Sequence, residues 1–312
     1  MKTEKGPADY IQPLDMNGLS GRMLYMPPKN AKKREILVIY GHHALLERWW
    51  GLLQNFNDFG AVTMPDIPGF GGMDSFYKIG RSATLDNYAD YLASFVKMRY
   101  KNRRFTIVAI SFGFLIATRM LQRYPELVGK VDFLISAAGF TRSDEFMFSR
   151  TRYLAYRYFA SLVTIPPLPL LFRYAILNAP VLRMAYSRTS NAKHKFAQVG
   201  DDREKFDRMM DMEIQLWQKN DVRTYMRTTV ELLTVDNCKQ QVDLPVWHVY
   251  TKNDHFFDHS IVEQHMRVIF SDYHDAPMTL KTHTLSVLAD KKEAAVIIPK
   301  VLRRAINGAG KS

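Results

Sequence analysis

VAISFGFLIATRML, residues 108–121, sets a serine between small side chains at a change of pattern. The apolar run FTIVAI (105–110) before it reads as a buried strand, and from Phe112 to Tyr124 the apolar residues recur at helical spacing. Ser111 therefore stands where a strand turns into a helix. Such a turn lifts a side chain clear of the sheet and points the next backbone N–H at the same space. It also brings backbone segments close together, so the positions two before and two after the serine must be small, and they are Ala109 and Gly113. A serine hydroxyl becomes a nucleophile only when a base takes its proton and fixed dipoles receive the oxyanion. The competing structural role is a helix N-cap, in which the hydroxyl accepts a backbone N–H instead.

Working outward, strand-like and helix-like segments alternate. Two short strands flank the turn signal Asn17-Gly18, and a lysine-rich loop, KNAKKRE (29–35), leads to the apolar run ILVIY (36–40). A helix is expected over ERWWGLLQNF (47–56), a strand over GAVTM (60–64), a helix over 84–98, and a strand over VDFLISAA (131–138). PDIPGFGGMD (65–74) is too rich in glycine and proline for anything but a turn. From about Thr141 to Asn237 no strand pattern is found, and helices broken by IPPLP and Pro180 are expected. Alternation resumes with the strand LPVWHVY (244–250), a helix over 261–270, the strand PMTLK (277–281) and a final helix over 291–305. Strands alternating with helices predict an α/β fold with a mostly parallel central sheet flanked by helices. The domain expectation is a core of residues 1–140 and 241–312, interrupted by a helical cap at 141–240.

Composition narrows the classes. Nearly half of the 312 residues are apolar and 12% are aromatic, which a packed fold requires and a disordered chain lacks. Cys238 is the only cysteine, so no intrachain disulfide can form and a reducing, cytoplasmic compartment is expected. The N-terminus MKTEKGPADYIQPLD has no apolar core of a secretory signal, and the run YFASLVTIPPLPLLF (158–172) is too short and proline-rich to span a bilayer. Forty-three basic residues against 31 acidic give a net charge of +12, which suits an anionic surface. No nucleic-acid motif accompanies that charge, so a nucleic-acid partner is not expected.

The serine's surroundings resemble the α/β-hydrolase superfamily. AISFG (109–113) is similar to the nucleophile elbow G-x-S-x-G, with alanine in the first position. VIYGHHALLERWW (38–50) resembles the family's strand, His-Gly and downstream Trp, and PDIPGFGGMD resembles its Asp-x-Pro-Gly-x-Gly loop. VYTKNDHFFD (249–258) and LKTHTLSVL (280–288) resemble the strand ends that deliver the acid and the histidine. The resemblance covers roughly residues 33–140 and 241–306. It implies Ser111 as nucleophile, His283 as general base and then acid, and Asp254 as the carboxylate that orients the imidazole. It also implies an oxyanion hole from the backbone N–H groups of His42 and Phe112, with Gly41 in the turn before His42.

The assignments have rivals. Asp258 and Asp144 compete with Asp254, and His274 competes with His283, although His274 should precede the last strand and so lie at the wrong end of the sheet. His255, His259 and His265 are expected to face solvent and His248 to sit in the core. Tyr40 departs from the family's histidine before Gly41; His43 and Trp49 are candidate substrate-pocket residues. Histidine spacing near 255–259 lacks the glutamate of a zinc protease, and no metal or other cofactor is expected.

In the superfamily the segment after the sixth strand resembles a cap that reads the substrate. Residues 142–188 hold seven arginines, no lysine and two acids, interleaved with Tyr, Phe and Leu. That surface suits peripheral contact with a membrane or an acyl chain, or arginine stems lying over an ordinary core. The expected function is a serine hydrolase, esterase- or lipase-like, cleaving a carboxylic ester with a hydrophobic part. An amide or C–C substrate for the same triad is the alternative, and a non-catalytic lipid- or partner-binding relative is the alternative of another class.

Overall fold

The computed structural model describes residues 5–29, 34–188, 203–252, 254, 256–279 and 289–308. An eight-stranded sheet runs in the order β1-β2-β4-β3-β5-β6-β7-β8. Its strands are β1 (Ile11–Met16), β2 (Leu19–Met26), β3 (Glu35–Ile39), β4 (Ala61–Pro65), β5 (Phe105–Ile110), β6 (Val131–Ala137), β7 (Val242–Thr251) and β8 (Phe270–Met278). The β1-β2 hairpin turns at Asn17 and Gly18, both at positive φ as the tight turn requires. β2 pairs antiparallel with β4, and every pairing from β4 to β8 is parallel. β3, β4 and β5 are buried along their whole length, as strands covered by helices on both faces must be.

Around the sheet lie α1 (Trp50–Phe56), α2 (Leu85–Arg99) and α3 (Phe112–Arg123). α2 begins at Thr84, whose hydroxyl accepts from the Asn87 N–H, and α3 is buried on almost every face because it packs against both α2 and the sheet. Between β6 and β7 the chain leaves the sheet for a helical insertion of α4 (Arg150–Val163), α5 (Leu168–Ala175), α6 (Ala179–Arg188), α7 (Arg203–Lys219) and α8 (Val222–Leu232). The insertion has an apolar cluster of its own, with Ala160, Val163, Leu177, Met209, Met210, Ile214 and Met226 inside it. After β7 come α9 (His259–Ile269), β8, α10 (Lys291–Ala294) and α11 (Lys300–Gly308).

Two sequence expectations are corrected. The last strand among the described residues begins at Phe270, seven residues before the expected start at Pro277, and ends at Met278, residues 280 and 281 of the expected strand lying outside the described residues; its sequence FSDYHDAPM lacks an apolar run because β8 is an edge strand with one wet face. His274 consequently lies within that strand, stacked on Trp247 of β7 at 4.2 Å, rather than before it. The final helix is two short helices with a 3₁₀ turn (Ala295–Ile297) between them, ending where Pro299 cannot continue the first.

The chain steps from β3 to β4 on one side and then crosses to β5 on the other. The carboxyl ends of β3 and β5 therefore flank a switch point, the place where open parallel sheets hold a crevice. Gly41 follows β3 there, and Ser111 follows β5.

Candidate active site

Ser111 has φ 49° and ψ −113°, a combination that an L-residue adopts only under constraint, at a cost of about 1–3 kcal/mol. By position it is the N-cap of α3, yet its hydroxyl makes no capping bond. Among the described residues, other serines, threonines and aspartates at such positions do cap. Ser75, Thr84, Ser149, Asp221 and Asp258 each accept a backbone N–H of the following turn, and each has φ between −60° and −94°. The serine's own backbone is pinned from both sides, its N–H donating to Ala137 O (3.0 Å) and its carbonyl accepting from Phe114 N–H (2.9 Å).

Close packing explains the small neighbours. A methyl at Gly113 would lie 2.3 Å from Ile39 O and 2.7 Å from Tyr40 O, so only glycine lets the first turn of α3 press against the end of β3. A methyl at Gly41 would sit 3.2 Å from Ser111 Cβ, which puts the backbone after β3 directly beside the serine. Ala109 is fully buried, paired with Ile39 of β3 and Ser136 of β6.

Tyr40 takes a structural part. Its hydroxyl donates to Asp66 Oδ1 (2.9 Å) and accepts from Ile67 N–H (2.9 Å), tying the end of β3 to the Gly-Pro loop after β4. Arg22 donates to the other Asp66 oxygen (3.1 Å) and forms an ion pair with Glu47 (2.6 Å). Burial pushes the Asp66 carboxyl up to about 7 against the pull of Arg22. This network was not anticipated from the sequence; a carboxylate inside a loop of glycine, proline and apolar residues was its only signal.

The two histidines after Gly41 face the insertion. The His42 ring stacks on Tyr225 of α8 at 4.4 Å, and its Nε2 lies 2.8 Å from Thr228 Oγ1 and 3.3 Å from Tyr225 O. Burial lowers its pKa to about 4, so the imidazole is neutral at pH 7. His43, at φ 56°, has Nδ1 3.1 Å from Asn220 Nδ2 and its ring 4.1 Å from Trp217. The 66–74 loop joins the same contact, with Gly71 N–H donating to Asn220 Oδ1 (2.8 Å) and Asp221 N–H to Gly69 O (2.8 Å). Trp49 is buried in the main core, with the Arg48 guanidinium 5.2 Å from its ring.

Asp254 follows β7, accepts the Phe256 N–H at 2.8 Å, and lines a small pocket with Ala138, Gly139, His248, Tyr250, Thr251, Phe257, His259 and Val262. Asp258 caps α9 through Ser260 and Ile261 N–H, and Asp144 pairs with Arg142 at 3.5 Å. His283 and His255 lie outside the described residues. His248 is buried, with Nδ1 3.0 Å from Ser136 Oγ. His259 and His265 do not face solvent as expected: His259 stacks on Tyr250, and His265 Nδ1 sits 2.7 Å from Oε1 of the buried Glu145. His259 thus lies against β7, and His265 against the segment that follows β6, so α9 is covered on two faces. Among the described residues no cluster of His, Cys, Asp and Glu is suited to a metal, and no helix is long and apolar enough to cross a membrane.

With this geometry the family model "Serine aminopeptidase, S33" matches residues 30–275. The chain belongs to that family of α/β-hydrolases. No curated protein matches this S33-family chain. Its fold is similar to that of an esterase from Thermogutta terrifontis, with 13% identity, a TM-score of 0.63, and coverage of 96% of this chain and 99% of that one. An esterase from Rhodococcus sp. ECU1013 is similar at 15% identity and TM-score 0.64, over 96% of this chain and 100% of the other. A membrane phospholipase A described as a bacterial virulence factor is similar at 14% identity and TM-score 0.61, over 96% and 87%. These likenesses are likenesses of fold.

Proposed function

We propose that the chain is a serine hydrolase that cleaves a carboxylic ester with a hydrophobic acyl or alcohol group through an acyl-enzyme. The observation that carries this reading is the Ser111 backbone, held at positive φ with its hydroxyl out of the capping bond that Ser75, Thr84 and Ser149 make at the same position of their helices. Strain kept at Ser111, with close-packed glycines beside it, suits a side chain placed for chemistry.

In this reading His283 takes the Ser111 hydroxyl proton as Oγ bonds to the ester carbonyl carbon, and the carbonyl electrons move onto oxygen. The N–H of Phe112, first residue of α3, has no acceptor within its own helix and lies at the positive end of the helix dipole, so it suits the oxyanion. The His42 N–H supplies the second bond. Collapse breaks the C–O bond to the alcohol, which leaves with the proton from His283. Water, deprotonated by the same imidazole, then attacks the acyl-enzyme, and the acid departs as the proton returns to Ser111. Asp254 orients the imidazole; its place directly after β7 favours it, because Asp258 is engaged in capping α9.

The helical segment 141–240 acts as a cap in this account, with His42 and His43 joining it to the strand ends. The family's description names aminopeptidases, which favours an amide as the second reading. A series of p-nitrophenyl esters of rising chain length, run beside aminoacyl p-nitroanilides, separates the two. Turnover of longer esters that disappears in Ser111→Ala supports the ester reading; turnover of the anilides alone replaces it with the amide.

A further inference from the structure

We propose that the outer face of α4 and α5 docks on an anionic lipid surface. Eleven of the fifteen exposed large apolar side chains among the described residues lie between Met147 and Met184. Tyr158 (70% exposed) and Leu162 share a stripe of α4, and Leu170 and Leu171 (59% each) and Tyr174 (75%) share one of α5. The Phe159 and Phe172 rings, 5.6 Å apart, join the two stripes into one patch. The opposite faces of these helices are also apolar, with Ala160 and Val163 in the insertion's core. A helix apolar on both sides is not built for water on one of them.

Charge selects the occupant. From Phe146 to Arg188 the sequence has six arginines and neither acid nor lysine. Arg183 is answered by Asp207 and Asp211, and Arg173 by the carbonyls of Gln218 and Asn220. Arg150 and Arg157 are exposed and have no carboxylate partner among the described residues. Two copies meeting through this face would oppose arginine to arginine with no acid in the segment to answer. An anionic bilayer instead offers hydrocarbon to the leucines, an interface to the tyrosines and phosphates to the guanidiniums. The proposal does not depend on the reaction.

Flotation of the full chain with vesicles of phosphatidylcholine alone, or with about 30% phosphatidylglycerol, tests it. Binding is expected to the anionic vesicles, to weaken as salt rises, and to be much lower on the neutral ones. The double substitution Leu170→Ser/Leu171→Ser should weaken binding at least ~100-fold, and Arg150→Gln/Arg157→Gln about 25-fold, both with native circular dichroism. Should the leucine variant misfold, the arginine pair gives the answer alone. Equal binding to both vesicle types, no binding to either, or a dimer in lipid-free solution that the leucine variant dissolves would overturn the proposal.

Discussion

Ser111 is held at φ 49°, a conformation that the proposed nucleophile role explains and that the capping serines of this chain do not adopt. Ser111→Ala is expected to abolish ester turnover with little change in melting temperature. Ser111→Gly should abolish it too while stabilising the fold by about 1 kcal/mol, since glycine reaches φ 49° without penalty; calorimetry on both variants checks this. Gly113→Ala, whose methyl would meet Ile39 O at 2.3 Å, should cost about 3 kcal/mol by chemical denaturation. The need for small residues at 109 and 113 was legible in the sequence, because a turn from strand to helix leaves no room beside it. The partner of Tyr40 was not. Asp66 is 26 positions away and on another strand end, and nothing local records that a phenol and a carboxylate will meet. Tyr40→Phe, which leaves Asp66 Oδ1 and Ile67 N–H without that hydroxyl, should destabilise by about 2 kcal/mol.

Helix α8 is fastened to the strand ends, whereas α4 and α5 turn an apolar face outward. The fastening is made by His42 against Tyr225 and Thr228, by Asn220 against His43 and Gly71, and by Glu231, whose carboxylate accepts the Leu85 N–H at 2.9 Å. His42→Ala should raise amide hydrogen exchange in α8 at least ~10-fold while leaving α3 protected, which mass spectrometry of exchanged peptides would resolve. Fully buried elements were the legible ones: β3 to β6 and α2 and α3 carry apolar periods that only one environment allows. β8 was misplaced because an edge strand needs apolar residues on one face alone, and its Ser-Asp-Tyr-His-Asp run reads as a loop. The inward turn of His259 and His265 was hidden for a related reason, since their partners, Tyr250 of β7 and Glu145 of the segment after β6, are set by how α9 packs and not by its own sequence. His283 rests on resemblance to a family pattern alone and lies outside the described residues.

At the scale of the whole molecule, the buried groups Asp66 and His42 give stability opposite dependences on pH. Asp66 titrates near 7 in the fold against an ordinary value near 4, so its contribution is complete below pH 4 and is lost as pH rises through 7. His42 titrates near 4 in the fold against 6.5, so its contribution is complete above pH 6.5 and is lost as pH falls through 4. Asp66→Asn removes the first and leaves the second. Relative to the native chain, its unfolding free energy should therefore rise more steeply from pH 4 to 7, by roughly 3 kcal/mol over the window, as measured by urea titration at successive pH values. The packing of β3, β6 and α3 around the end of β5 holds one hydroxyl at the carboxyl end of that strand, and the account stands on that hydroxyl being reactive. Treatment with a fluorophosphonate followed by peptide mass mapping measures this directly. The account predicts a single stoichiometric adduct on Ser111, absent from heat-denatured protein; a folded chain that stays unlabelled, or is labelled at another serine, contradicts it.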